Sequence, residues 1–195
     1  MGCSATCEHG AFNDAKKAKL IVFDESGFPY KKFMELGHGY NEKVASVLNN
    51  LDLDCYCPEL AFAKDWQEVK EMTATEKDII FKNIDAHLEI KSRALKFTSD
   101  PQTFPYDTLM VDTVSGYEQK LQKPLAYVIV SQHTNDLLVI PNHTYEYWTQ
   151  ETKYDPARNL TDTFYLCPKN LVKPFPYLVD YLRFLHSNAA GKIGI

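Results

Sequence analysis

Between residues 125 and 141 the chain reads LAYVIVSQ, then HTN, then DLLVIP. The first run is β-branched, aromatic and almost wholly apolar, the composition of a well-buried strand. The second run is of the same kind, and the polar break between them is short enough for a hairpin. A chain with such a pair near its centre builds a sheet, and its remaining segments must then cover that sheet.

Candidates for the cover lie on either side. Residues 37–51, GHGYNEKVASVLNNL, place Val44, Val47, Leu48 and Leu51 at i, i+3, i+4 and i+7, one apolar stripe of a helix. Residues 174–188, PFPYLVDYLRFLHSN, space Leu178, Leu182 and Leu185 by four and three, which reads as a final helix. DCYC (54–57) reads as a first sheet strand ended by Pro58, and 61–73 as helix or loop. TLMVDT (108–113) opens a strand or a helix, and 113–124 is part helical. Residues 142–173 read as turn-rich and aromatic. KLIVFDESGF (19–28) reads as a short strand into a turn, after a loose arm over 1–18. The expected fold class is α/β, a central mixed β-sheet flanked by helices. With 195 residues, 45% of them hydrophobic, the expectation is one domain over 19–195 with a C-terminal helical extension.

Charge and cysteine content narrow the function classes. A net charge of −5 argues against a general nucleic-acid coat, although a local basic patch can still track phosphates. Five cysteines (3, 7, 55, 57 and 167) are odd in number and lack zinc-set spacing, so they read as buried thiols of a reducing, cytoplasmic setting. MGCSAT fits the short N-myristoylation pattern, with Cys3 as a palmitoylation site. No apolar run has the length of a membrane span.

The chemistry concentrates in KDIIFKNIDAHLEIKSR, residues 77–93. His87, Glu89 and Lys91 alternate with Ala86, Leu88 and Ile90 across a strand. A two-residue turn at Asn83-Ile84, with Asn83 supplying positive φ, pairs Ile80 with His87, Ile79 with Leu88 and Asp78 with Glu89. That register gathers Asp78, Glu89 and Lys91 on one face at one end of the hairpin. A turn one residue longer would separate them. Two carboxylates and an ammonium within reach suit Mg²⁺ or Mn²⁺ and phosphodiester hydrolysis. The plain alternative is a cross-strand ion pair on an exposed hairpin.

The stretch DIIF…HLEIKSR resembles the catalytic core of the PD-(D/E)xK nuclease superfamily, with its restriction-endonuclease-like fold, and within it the archaeal Holliday-junction resolvases. The upstream helix followed by DCYC, and the helix and apolar strands over 113–141, match that family in outline. The resemblance implies a metal-dependent nuclease, with DNA as partner and often a homodimer. It implies Asp78 and Glu89 as metal ligands, the backbone carbonyl of Ile90 as a third, and Lys91 as the residue that positions or activates water. Ser92, Arg93 and Gln132 would contact nucleic acid. A helix acid is also expected, and Glu42 is the nearby carboxylate, although Asn41 fits the helix phase better.

His87 shares the Glu89 face and reads as either a third ligand or an exposed sheet histidine. Asp107 and Asp112 read as a turn and cap pair. No Walker loop, dinucleotide fingerprint or nucleophile elbow occurs. Rival readings are a catalytically inactive binding or structural protein of the same fold, a lipid-anchored adaptor, and an unrelated α/β protein with a surface ion pair.

Overall fold

The structure, a computed structural model, describes residues 30–60, 66–155 and 160–191. The readings made for the arm, the 19–28 strand, MGCSAT, Cys3 and Cys7 lie outside them. In chain order come helix α1 (Tyr30–Asn49), strand β1 (Cys55–Tyr56), helix α2 (Trp66–Thr75), and strands β2 (Ile79–Phe81), β3 (His87–Arg93) and β4 (Thr108–Thr113). Helix α3 (Val114–Gln119) precedes strands β5 (Ala126–Ser131), β6 (Leu137–Pro141), β7 (Thr149–Asp155), β8 (Leu160–Pro168) and β9 (Lys173–Pro174), and helix α4 (Phe175–Gly191) closes the series. Among the described residues no helix is long and apolar enough to cross a membrane.

The central sheet is mixed, in the order β1-β2-β3-β5-β6-β9. Strands β1, β2 and β3 form an antiparallel meander, and β3 runs parallel to β5. The β3–β5 connection leaves this sheet and passes through β4 and α3. The expected 125–141 hairpin is present, pairing Val130 with Leu137 and Ala126 with Pro141, and Asn135 at φ 60° turns its loop.

Two cores form on the two faces of this sheet. On one face Leu88, Ile90, Val128, Val130 and Val139 pack against Val44 and Leu48 of α1 and Leu178 and Leu182 of α4. On the other face Tyr127, Ile129, Leu138 and Ile140 pack against Leu109, Val111, Tyr165 and Cys167, which belong to β4 and β8. Strands β4, β8 and β7 form a second, three-stranded sheet that the sequence reading of 142–173 as turn-rich did not anticipate. Strand β7 is TQETKYD, polar on both alternations, so nothing in its pattern marks a buried face.

The α1 stripe differs in one position from its expected form. Tyr40, Val44, Ala45 and Leu48 are buried, whereas Val47 is 41% exposed. The helix begins seven residues earlier than the reading of 37–51, and its core face follows 40, 44, 45 and 48. It ends where Asp52 adopts φ 62° and the Leu53 N–H returns to the Leu48 carbonyl. The Asn49 side chain then bonds both the N–H and the carbonyl of Cys55 and sets the chain into β1.

Leu48→Ala should therefore cost about 2–5 kcal/mol in urea unfolding, while Val47→Ala should change stability by less than about 0.5 kcal/mol. Equal costs would show that Val47 belongs to the core stripe.

Candidate active site

The hairpin register is the one that gathers the charged residues. Ile79 pairs with Leu88 and Ile80 with His87, and the Phe81 N–H reaches the Ala86 carbonyl. One pair further on, Asp78 stands opposite Glu89. The turn is not the tight left-handed one expected, because no residue from 82 to 85 has positive φ. The loop instead closes through the Ala86 N–H on the Ile84 carbonyl, and the register is unchanged.

Asp78 lies just before β2 and is held from two elements. One carboxylate oxygen accepts the Ile90 N–H at 2.7 Å. The other accepts the side-chain amide of Asn41, from α1, at 2.9 Å. Because the N–H and carbonyl of a strand residue point to the same side, the Ile90 carbonyl faces the Asp78 side as well.

Glu89 is 5% exposed and lies between two ammonium groups. Lys91 Nζ is 2.9 Å from Oε1 and Lys120 Nζ is 3.0 Å from Oε2. Lys120 follows α3 and is itself buried. Lys91 also faces Asp112 Oδ2 at 3.6 Å, and that oxygen accepts the Tyr127 hydroxyl at 3.3 Å. Asp112 thus does more than cap: one oxygen accepts its neighbour's N–H at Thr113, and the other joins the cluster. Asp107 is fully exposed, 3.7 Å from Lys169.

These contacts set the ionisation of the group. Burial alone would raise the Glu89 carboxyl, but Lys91 and Lys120 outweigh it and hold it down at about 2. Burial opposes the charge on Lys91, yet Glu89, Asp112 and Asp78 keep it above its ordinary value. Asp78 is pushed well up by burial and then by Glu89. Glu76, in the turn after α2, is also pushed up by burial and by Glu89. Four carboxyl groups, of Glu76, Asp78, Glu89 and Asp112, therefore face two ammonium groups. Fully ionised, the cluster would carry uncompensated negative charge in a place poor in water.

His87 is fully buried, and neither ring nitrogen has a partner. It is therefore not the exposed sheet histidine expected as one alternative. Burial and Lys77 lower it to about 4, so it is neutral at physiological pH.

Other expected site residues are placed differently. Glu42 is exposed and pairs with His38 on its own helix at 3.6 Å, so it does not join Asp78. One residue is about 100° of helix, and Asn41 takes the inward position that phase favours. Ser92 and Gln132 bond each other at 3.1 Å. Alternation puts Ser92 with Leu88 and Ile90 on the α1 side, away from Glu89 and Lys91. Arg93 keeps the Glu89–Lys91 face. Lys120, Glu76 and Tyr127 were not foreseen, since each comes from a different element and no spacing links them to 78–91. Asp112, which the sequence offers as a cap, also faces Lys91 and Tyr127.

Among the described residues no three His, Cys, Asp or Glu side chains converge as a ready metal-ligand group. No family model, curated protein or solved structure matches the chain.

A double-mutant cycle tests the burial of this network. Glu89→Gln with Lys120→Met should show a coupling of about 1–3 kcal/mol in unfolding free energy. The half-exposed Lys82–Asp54 pair, although closer at 2.7 Å, should couple by less than about 1 kcal/mol.

Proposed function

We propose that the protein is a metal-dependent nuclease that hydrolyses DNA phosphodiester bonds at the Asp78–Glu89–Lys91 cluster. The observation that carries this reading is the hairpin register, which sets Asp78 beside Glu89 with Lys91 on the same strand face as Glu89. The element order also supports it. Helix α1, strand β1, the antiparallel pair β2–β3, helix α3 and the apolar strand β5 come in the order that the resemblance to PD-(D/E)xK nucleases implies, with α2 and β4 inserted among them.

The donor chemistry fits a hard divalent cation. Burial and the charge on Glu89 oppose the ionisation of Asp78, and a cation between the two carboxylates would let Asp78 ionise as well. Mg²⁺ commonly takes only one or two carboxylates and keeps several waters. Asp78, Glu89 and the Ile90 carbonyl would hold Mg²⁺ or Mn²⁺, which would supply an acidified water and charge neutralisation at the phosphate.

The chain's own groups divide the remaining work. In the reaction water adds to phosphorus, one P–O ester bond breaks, and the leaving oxygen takes up a proton. Lys91 stays an ammonium, so it acts as a donor toward the water or a phosphate oxygen and does not accept a proton. Asp112 and Glu89 hold that ammonium in place. Lys120 fixes the second oxygen of Glu89, and Asn41 orients Asp78.

One observation favours a second reading. Both oxygens of Glu89 are already occupied by lysines, which suits a non-catalytic binding or structural protein with a neutralised site.

Cleavage of a panel of supercoiled plasmid, linear duplex, single strand and four-way junction separates the two. With Mg²⁺ or Mn²⁺ the protein should cut at least one substrate, EDTA should abolish cutting, and Lys91→Ala should slow it by about 100-fold or more. A folded protein that cuts nothing, or a Lys91→Ala protein as fast as its parent, supports the non-catalytic reading.

A further inference from the structure

A pocket of about 260 Å³ opens between β3, β4 and β8. Arg93, Phe104, Tyr106, Met110, Lys153 and Leu166 are among the residues that line it. It is apolar and aromatic in most of its wall, with two cationic side chains, Arg93 and Lys153, the second of which pairs with Glu151 at 3.1 Å.

Arg93 is the informative group. It shares the face of Glu89 and Lys91, because side chains two apart on a strand point the same way. Its guanidinium donates to the Ser92 carbonyl at 3.2 Å and the Met110 carbonyl at 3.0 Å. A guanidinium carries five N–H donors and keeps its charge in proteins, so these two bonds leave donors to spare. Burial works against that charge, and the acid whose field offsets it is Asp112, which the Lys91 ammonium already faces. A partly buried cation with spare donors beside a pocket is built to receive an anion.

The aromatic wall has a matching form. Phe104 is buried, packed on Phe97 at 5.4 Å between ring centroids. Tyr106 meets Phe104 edge-on at 6.0 Å yet is 58% exposed. One side of the tyrosine is thus anchored, and much of the ring is open to a flat partner. A cation beside an open ring is the arrangement that takes a phosphate and a base together.

We propose that this pocket holds one unpaired nucleotide of a DNA single strand, its phosphate on Arg93 and Lys153 and its base against Tyr106. The assignment deepens the nuclease reading, and its placing of the scissile phosphate rests on that reading. Lys91 and Arg93 stand two residues apart, about 6–7 Å along the strand, roughly one step of an extended nucleotide chain. The nucleotide in the pocket is therefore the neighbour of the one whose phosphate meets Lys91. A base stacked and paired in a duplex cannot enter without being flipped out, so the substrate at this position is single-stranded or locally opened.

Fluorescence anisotropy in EDTA tests this without any contribution from cleavage. The probes are a short labelled oligothymidylate, a duplex of equal length, and free thymidine 5′-monophosphate as competitor. The single strand should bind at least about 10-fold more tightly than the duplex. Tyr106→Ala should weaken single-strand binding roughly 5- to 100-fold with an unchanged melting temperature, and Tyr106→Phe should restore it. Arg93→Gln should reduce the salt dependence of binding by about one phosphate contact. Equal binding of duplex and single strand, or a Tyr106→Ala protein that binds as its parent does, overturns the proposal. So does a free mononucleotide that binds as tightly as the oligonucleotide. If the Tyr106 dependence is absent while metal-dependent cutting persists, the pocket assignment alone fails. If cutting is absent while Tyr106-dependent binding persists, hydrolysis alone fails.

Discussion

The bond from the Ile90 N–H to the Asp78 carboxylate is the constraint on which the charged cluster depends. It closes the mouth of the β2–β3 hairpin at the point where the ladder stops and is 2.7 Å long. The second Asp78 oxygen takes the Asn41 amide, so one carboxylate ties α1, the approach to β2, and β3. A shift of one residue in this register would turn Asp78 away from Glu89 and exchange the two faces of the strand. The same slip would move Leu88 and Ile90, which are buried against α1 and α4, onto the face that holds the charged cluster. Core burial and cluster geometry therefore enforce the same pairing.

The second sheet brings in the residues that complete the cluster. Strand β4 supplies Asp112, and the chain leaving α3 supplies Lys120. Both arrive because the β3–β5 connection detours through the far side of the central sheet. Tyr127 sits fully buried on that side, its hydroxyl on Asp112. Burial and the Asp112 charge hold the phenol above its ordinary range, so it remains a donor. The result is a cluster of alternating sign in which Glu89 is charged at any ordinary pH, while Asp78 and Glu76 resist ionisation. An excess of buried carboxyls over ammoniums is costly for a scaffold and is eased by a divalent cation.

The legible parts of the fold were those with local periodicity. The 125–141 hairpin, the β2–β3 register, the α1 and α4 stripes and DCYC as β1 all follow from patterns of two or of about four. Strands β7 and β8 were not legible: β7 pairs along its whole length with β8, but its residues alternate polar with polar. In the cluster, Asp78, Glu89 and Lys91 were legible because they lie within fourteen residues of one hairpin. Lys120 and Glu76 were not, since only the crossover and α2 bring them near. Glu42 shows the limit of matching by residue type, because helix phase assigned the inward place to Asn41. His87 shows the limit of alternation alone. Its face is the Glu89 face, yet it is completely buried.

The central claim is that Asp78 and Glu89 form one cation site, and direct titration with Mn²⁺, followed by the loss of the free-ion electron paramagnetic resonance signal, tests it most plainly. The account predicts saturable binding that weakens as pH falls, because protonation of the raised Asp78 carboxyl removes a ligand. It also predicts that Asp78→Asn and Glu89→Gln each abolish most of that binding while the protein stays folded. Absence of Mn²⁺ binding, or binding indifferent to both substitutions, would contradict it and leave the cluster as a buried ion-pair network that stabilises the sheet.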